Sequence, residues 1–525
     1  MTRVLIADDL SPRAAEIFRE RGIEADVKVG LSPAELESII AGYDGLAVRS
    51  ATKATAKIIA AATRLKVIGR AGIGVDNVDI PAATQRGIVV MNTPHGNSVT
   101  TAEHAIAMMF ALARQIPAAD LSTQAGKWEK SRFVGVELMG KVLGIVGCGN
   151  IGSIVADRAQ GLKMKVIAFD PYLSDDRAKD LNVEKVSLDQ LFARADFITL
   201  HTPLTDGTRH MINAGAIAKM KPGVRIINCA RGELVVEEDL KAALASGQVA
   251  GLALDVFAVE PAKSNLLFGS DKLVATPHLG ASTAEAQEKV ALQVAEQMAD
   301  FLLTGAVTNA LNMPSVTAEE APRLRPYMAL AQQLGSFAGQ MTHSGLKAVK
   351  IEYEGHAAEL NTRPLTAVAL AGLLGPLLDS VNMVNAPVIA RERNIEVSEI
   401  KHSRPSDYQT LIRLTVTTDR QSRDVAGTLF GGDKPRLVQI KGIAVEAELG
   451  HHMLYVTNRD KPGFIGRLGT LLGAEGVNIA TFHLGRSGPG EDAIALIEVD
   501  ERLDDALLAR IRQIPDVVQA TALSF

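Results

Sequence analysis

The chain has 525 residues, a net charge of −5 and 47% apolar residues, with two cysteines. One hydrophobic core rarely serves more than about 250–300 residues, so several domains are expected. No basic block points to nucleic acid, and no run approaches the roughly 18 apolar residues that a membrane span requires.

The opening, MTRVLIADDL, has one short apolar run stopped by Asp8 and Asp9, which does not read as a secretory signal. Cys148 and Cys229 lie in strand-like apolar contexts, too few for a disulfide framework, so a reducing, cytoplasmic home is expected. From Val4 to about Val90, RVLIAD, GLAVRS, LKVIGR and IVVMN read as strands, with SPRAAEIFRERG and ATKATAKIIAAAT as helices. Such alternation predicts βαβ units and a parallel sheet. A helix is predicted from about Ser98 through TTAEHAIAMMFALARQ. KVLGIVGCGNIG then opens a second α/β series, with VIAFDP, FITLHTP, RIINCAR, GLALDVF and LVATPH as its strands up to about Ala275. The helical stretch STAEAQEKVALQVAEQMADFLLTG leads back towards the first block. Pro314, Pro322 and Pro326, between Asn312 and Pro326, suggest a linker. Residues 317–452 read as mixed α/β. From His452 the order strand, helix, strand, strand, helix, strand predicts a ferredoxin-like βαββαβ unit.

VLGIV runs into Gly147-Cys148-Gly149-Asn150-Ile151-Gly152 and then into a helix. In a G-x-G-x-x-G turn the first glycine permits the bend and the second lets a pyrophosphate approach the backbone. The third lets the helix pack close to the strand. The helix N-terminus offers N–H groups to the phosphates. Asp170, at the end of VIAFDP, stands about 20 residues on, where an acid hydrogen-bonds an adenosine ribose. It competes with a reading as a turn cap before Pro171. An acid there repels a 2′-phosphate, so NAD is favoured over NADP.

Arg231, Glu260 and His278 each follow a predicted strand of the second series. Ligands of open α/β sheets bind beyond the carboxyl ends of the strands, so the three could converge. Alcohol oxidation needs a base, and histidine titrates near neutral pH. A carboxylate would orient it, and an arginine would hold a substrate carboxylate. Taken singly, each also reads as a loop or ion-pair residue. No metal-ligand spacing is present, and no metal is expected.

The segments Asn228–Glu233, Asp255–Pro261 and Thr276–Thr283, in this order after the glycine loop, resemble the signatures of the D-2-hydroxyacid dehydrogenase family. The resemblance spans about residues 1–310. It implies a Rossmann-type nucleotide domain (99–284) inserted in a flavodoxin-like substrate domain (1–98 and 285–310). It makes His278 the acid/base, Glu260 its partner and Arg231 the substrate-carboxylate ligand. It places Cys229, Ala230, Arg231, Asp255, His278, Gly280 and Ala281 by the nicotinamide. Gly147, Gly149, Asn150, Ile151, Gly152, Asp170 and Thr202 lie along the rest of the NAD.

LAVRSATK, VIGRAGIGVDNVD and TPHGNSVTTAEHA further resemble segments of phosphoglycerate dehydrogenases. This implies substrate contacts from Arg49, Ser50, Gly72, Ile73, Gly74 and Asn97. Lys130 and Arg132 are candidate phosphate ligands reaching across a dimer; they also read as a solvated basic patch. NRDKPGFIGRLGTLLGAEGVNIATF resembles an ACT domain (453–525), and residues 317–452 resemble the intervening domain of the long enzymes. Asn458, Asp460 and Asn478 match positions that grip L-serine in such ACT domains. GTLFGGDKPRLVQIKG reads either as an anion-binding loop or as a surface hairpin. The implied activity is NAD-dependent oxidation of 3-phospho-D-glycerate to 3-phosphohydroxypyruvate, the first step of L-serine synthesis, by a homotetramer with L-serine as effector. The alternatives are a glyoxylate/hydroxypyruvate reductase or D-lactate dehydrogenase, and an NAD-sensing corepressor.

Overall fold

The alternation of short apolar runs with amphipathic helices builds two parallel sheets in the first three hundred residues. The computed structural model describes residues 1–525 apart from 95, 318 and 404–406. His95, within the TPHGNSVTTAEHA segment, therefore lies outside the described residues. Strands β1 (Arg3–Ile6), β2 (Glu24–Val27), β3 (Gly45–Val48), β4 (Val67–Arg70) and β5 (Val89–Met91) form a parallel sheet in the order β2-β1-β3-β4-β5. This is the flavodoxin-like order. Two elements here escape a reading by apolar runs. β2 is an edge strand of sequence EADV with only Ala25 buried. The helix Pro33–Ile39 has one buried residue, Leu36, but starts at a capping box in which Ser32 and Glu35 satisfy each other's backbone N–H.

The second sheet contains β6 (Val142–Val146), β7 (Lys165–Phe169), β8 (Glu184–Lys185), β9 (Phe197–Leu200), β10 (Val224–Asn228), β11 (Val249–Leu254) and β12 (Leu273–Ala275). Its order is β12-β11-β10-β9-β6-β7-β8, with all named pairings parallel. The strand order reverses at β6, so a crevice opens beyond the carboxyl ends of β6 and β9. The helix Ser98–Arg114 packs on this sheet through Ala102, Ala105, Met108 and Leu112, and Gln115 at φ +56° ends it. The helix Ala284–Thr304 instead buries Val290, Val294 and Met298 against β1, β4 and β5 of the first sheet. The chain thus leaves the first sheet, builds the second, and returns. A cleft lies between the two.

The third sheet has β13 (Leu346–Gly355), β14 (Glu396–His402), β15 (Thr410–Thr418), β16 (Ser422–Phe430), β17 (Lys434–Ile440) and β18 (Ile443–Ala447), in the order β14-β13-β15-β16-β17-β18. The GTLFGGDKPRLVQIKG segment forms the β16–β17 hairpin and the turn after it. The helices Ala321–Gln340 and Thr362–Leu374 pack against each other at glycines. A Cβ on Gly372 would meet the Gln332 carbonyl, and one on Gly335 the Ala369 carbonyl. Pro322 and Pro326 belong to the first of these helices, so the linker is shorter than the proline cluster suggests. Pro322 falls in the first turn, where a missing N–H costs nothing.

The last unit has β19 (His452–Arg459), β20 (Ile479–Arg486), β21 (Asp492–Val499) and β22 (Val517–Ser524) in the antiparallel order β20-β21-β19-β22. The helices Phe464–Ala474 and Asp505–Arg512 complete the expected βαββαβ unit. Among the described residues, no helix is long and apolar enough to cross a membrane.

Candidate active site

Glycine geometry defines the nucleotide loop between β6 and the helix Asn150–Gly161. Gly147 stands at φ +91°, and a Cβ there would lie 2.5 Å from the His201 carbonyl oxygen and 3.0 Å from the Thr202 nitrogen. A Cβ on Gly152 would run into the Gly147 carbonyl. A Cβ on Gly149 would meet nothing within 4 Å, so the middle of the loop faces open space. This asymmetry fits a loop whose ends are packed and whose centre receives a pyrophosphate. Asn150 begins the helix and reaches Pro94 O at 3.4 Å, touching the other wall of the cleft. Ile151 is half-buried against the core under the loop. Asp170, one residue past β7, accepts from the Cys148 and Tyr172 backbone N–H groups, each at 2.8 Å. Its carboxylate both caps the following turn and ties that turn to the glycine loop. Burial and then Asp170 push the Cys148 thiol up to about 11. His201 beside the loop is driven down to about 4 by burial. At neutral pH the loop therefore carries neither a Cys148 thiolate nor a His201 imidazolium.

His278 follows β12 at φ +56°, a region uncommon for residues bearing a side chain. Its N–H is held by the Asp255 carbonyl at 2.8 Å. Its Nδ1 lies 2.7 Å from Glu260 Oε2, and Glu260 Oε1 accepts from Phe257 N–H at 3.0 Å. Burial raises the Glu260 carboxyl, but the His278 and Phe257 hydrogen bonds outweigh it and leave the group below its ordinary value. Arg231 follows β10. Its Nε donates to Asp76 Oδ2 at 2.8 Å and its Nη1 to Ala230 O at 2.7 Å, while Nη2 lies where a Cβ on Gly74 would be. Arg231 thus spans from the second sheet to the Gly72-Ile73-Gly74 loop of the first. Asn228 pins that strand end, accepting from Ala230 N–H at 3.0 Å and donating to Arg231 O at 2.8 Å. Cys229 is buried, which raises its thiol.

Asp255, fully buried, accepts from Thr276 Oγ1 at 2.6 Å, Leu279 N–H at 2.7 Å and Gly280 N–H at 2.8 Å. Burial opposes the charge, yet these bonds and His104 at 3.3 Å hold the carboxyl below its usual range. Thr101 Oγ1 donates to Gly280 O at 2.9 Å, and half-buried Ala281 follows. His104, Cys229 and Asp255 place ligand-type atoms within 4.8 Å of one another.

On the first-sheet wall, the Arg49 N–H donates to buried Asp8 at 2.6 Å, and Ser50 is exposed. Gly72 N–H donates to Thr93 Oγ1 at 2.6 Å and Ile73 O accepts from Asn92 at 2.7 Å. Asn97 Oδ1 is buried with no partner among the described residues. Two residues missed by sequence reasoning also stand here. Asp76 positions Arg231. Arg70, at the end of β4, is pushed down to about 10 by burial first and then by the charge of Arg231, with Arg49 adding to it. The same strand-end signal that singles out Arg231 was present in VIGR. Arg132 is not brought to this cleft within the chain. Arg132 pairs with Asp271 at 2.6 Å and Glu129 at 3.1 Å. Asp271 precedes β12, at the edge of the sheet opposite His278.

In the last unit Asn458 is buried and donates to Arg459 O at 2.8 Å, with its Oδ1 unpartnered among the described residues. Asp460 accepts from Arg486 at 2.8 Å and Gly490 N–H at 3.2 Å. Asn478 donates to Asp500 at 2.8 Å.

Residues 106–280 match the family described as D-isomer specific 2-hydroxyacid dehydrogenase, NAD binding domain. Residues 323–441 match the D-3-phosphoglycerate dehydrogenase intervening domain, and 452–516 the ACT domain. A D-3-phosphoglycerate dehydrogenase of Synechocystis is 44% identical over 99% of this chain and 94% of its own length. One of Bacillus subtilis is 42% identical over 99% and 98%. A solved glyoxylate reductase of Paecilomyes thermophila is 29% identical with a TM-score of 0.56, but covers 59% of this chain and 98% of its own. That structure accounts for the cleft alone, whereas the full-length relatives share all the units. The nucleotide domain is an NAD-binding one, and the chain belongs to the D-3-phosphoglycerate dehydrogenase family of D-isomer specific 2-hydroxyacid dehydrogenases.

Proposed function

We propose that the protein oxidises 3-phospho-D-glycerate to 3-phosphohydroxypyruvate with NAD, feeding L-serine synthesis in the cytoplasm. The observation that carries the chemistry is the His278–Glu260 pair at 2.7 Å, beside which Arg231 spans from the second sheet to Asp76 of the first-sheet wall. With Nδ1 engaged by Glu260, the substrate hydroxyl gives its proton to Nε2 of His278. The ionised Glu260 beside the ring stabilises the imidazolium that results. Bound NAD supplies the hydride acceptor for the carbon bearing that hydroxyl. Arg231 is tethered by Asp76 and Ala230, which leaves its Nη2 edge to hold the substrate carboxylate. Asn97 and the Gly72–Gly74 backbone orient the same end, and Arg49 with Ser50 lies at the mouth. Arg132, turned away from its own cleft, and its neighbour Lys130 suit the phosphate in a neighbouring subunit's cleft. Gly147, Gly149, Gly152, Asn150, Ile151, Asp170 and Thr202 hold the pyrophosphate and adenosine side. Asp255, Cys229, Ala230, Gly280 and Ala281 hold the nicotinamide side.

In this reading residues 1–98 with 285–310 bind substrate and 99–284 bind NAD. Residues 317–452 intervene, and 453–525 bind L-serine through Asn458, Asp460 and Asn478 in a homotetramer. Two extra C-terminal units favour phosphoglycerate over a simple reductase. The test is NADH consumption with phosphohydroxypyruvate, glyoxylate, pyruvate or no substrate, each with and without L-serine. A preference for phosphohydroxypyruvate supports the reading. Faster turnover of glyoxylate or pyruvate overturns it, and an unchanged rate in L-serine removes the effector.

A further inference from the structure

The turn after β4 carries Asp76 and Asn77 as neighbours, and their side chains hold two different arginine-bearing segments. Asp76 Oδ2 accepts from Arg231 Nε at 2.8 Å. Asn77 Nδ2 donates to Arg49 O at 2.9 Å and to Thr52 O at 2.7 Å. Buried Asp8 takes the donors of the same Arg49–Thr52 loop, accepting from Arg49 N–H at 2.6 Å and from Thr52 Oγ1 at 2.6 Å. The turn itself has little freedom. Val78 N–H donates to Val75 O at 2.9 Å and closes it. Ala54 N–H donates to Asn77 O at 2.8 Å and Asp79 N–H to Ala54 O at 2.9 Å, which ties the turn to the segment after Thr52. Asp79 then caps the helix Ile80–Gln85 by accepting from Ala82 N–H at 3.0 Å. Arg231 reaches this turn from the end of β10 in the other sheet. Burial lowers the Arg70 guanidinium first, Arg231 and Arg49 lower it further and Asp76 opposes them, so all four side chains share one small region. The Asp76 side chain is 63% exposed, and an exposed ion pair adds little to folding. Its effect is on aim. With Nε on Asp76 and Nη1 on Ala230 O, the flexible arginine has only its Nη2 edge left to offer. A group displaced by about 1 Å can cost on the order of 10²-fold in rate.

We propose that Asp76 and Asn77 are paired positioning residues. Asp76 aims Arg231 at the substrate carboxylate, and Asn77 sets the Arg49 loop at the far, phosphate-bearing end. The one-residue step between them on a rigid turn fixes the length of dianion that the cleft takes. This rests on the reading of Arg231 as the carboxylate ligand and of the substrate as a phosphate ester. A short 2-oxo acid with a single anionic group uses only the Asp76 half of the device.

The test measures kcat/KM of the full-length protein for NADH-dependent reduction of phosphohydroxypyruvate and of glyoxylate. Asp76→Ala is expected to lower both values about tenfold or more, with their ratio unchanged within about threefold and Tm nearly unaltered. Asp76→Asn, whose Oδ1 still accepts from Arg231, is expected to be at least about threefold better than Asp76→Ala. Asn77→Ala is expected to lower the ratio of phosphohydroxypyruvate to glyoxylate about tenfold or more, through a raised KM for phosphohydroxypyruvate. An unfolded fraction lowers both substrates alike, so this ratio reads position and not folding. In an Arg49→Ala background, Asn77→Ala is expected to lower the ratio by less than about a further threefold, because the group that Asn77 sets is gone. The proposal is overturned if Asp76→Ala keeps both values near those of the unaltered protein, or if Asp76→Asn is no better than Asp76→Ala. It is overturned equally if Asn77→Ala leaves the ratio unaltered, or lowers it as much without Arg49 as with it. A preference of the unaltered protein for glyoxylate overturns the substrate reading instead; the changes in each variant, taken relative to the unaltered protein, still decide this one.

Discussion

Proton transfer at His278 is confined to Nε2, because Glu260 occupies Nδ1. The positive φ is met by two backbone partners for the His278 N–H, the Asp255 and Thr276 carbonyls at 2.8 and 3.0 Å. His278→Ala is expected to lower kcat by about 10²–10⁴, the usual worth of general acid–base catalysis, with NADH binding retained. Near-unaltered kcat in a stopped-flow assay would remove the base from this position. The Glu260 carboxyl, held below its ordinary 4.5, stays ionised through the neutral range. The stability it lends is complete above that ordinary value and is lost as pH falls through the lowered one. Its charge favours the imidazolium. In Glu260→Gln the acidic limb of the kcat/KM profile is therefore expected to move to lower pH as kcat falls. A profile that does not move indicates that Glu260 only fills space. The Asp170 side chain caps the turn, one of its two readings from sequence, and ties that turn to the glycine loop. Asp170→Ala is expected to narrow the preference for NAD over NADP, read from kcat/KM with each cofactor.

Elements with apolar runs or glycine signatures were legible, and elements made by their neighbours were not. β6 with its loop combines five apolar or small residues with the three glycines, of which Gly147 and Gly152 each have a separate steric reason and Gly149 faces open space. β2 is a strand because β1 offers it a free edge, with Arg3↔Glu24 through Ile6↔Val27 in register. Its own sequence carries little signal. The helix pair Ala321–Gln340 and Thr362–Leu374 is invisible as a pair, although its glycines could be seen. Gly372 lets the Gln332 backbone approach closely enough that any Cβ must displace it. Gly372→Ala is expected to destabilise by about 1–3 kcal/mol, as other overpacked cores do, despite the better helix propensity of alanine. A raised Tm would show that the helices can separate without loss.

Across the molecule, one apolar core runs through the two C-terminal units. Leu330, Phe337, Tyr353 and Ile412 share it with Met453, Tyr455, Ile494 and Leu496 of the last unit. The helices of that unit cover a separate core around Leu454, Leu468 and Ile511. Removing residues 452–525 therefore uncovers part of a shared core. Each such side chain is worth about 1.5–3 kcal/mol when buried. The truncated protein is expected to unfold at a lower temperature and to self-associate by light scattering; an unchanged Tm would mean that the units are independent. The intervening unit is likewise clasped to the first sheet. Asn382 donates to Gly87 O at 2.9 Å, Asn385 to Gln85 O at 3.2 Å, and Val384 enters the first sheet's core.

The sequence by itself determined the fold class, the nucleotide loop and the three strand-end residues of the cleft. Each depends on local order: a period of apolar residues, a spacing of glycines, a charge just after a strand. Only the tertiary structure decided which charges meet. Asp76 reaches Arg231 across 155 positions because two sheets face each other across a hinge. Arg132 is aimed away from its own cleft because parallel strands put their two ends on opposite edges. Phe337 meets the Tyr455 ring edge-on because two units share a core. These are long-range packing outcomes, and no residue spacing encodes them.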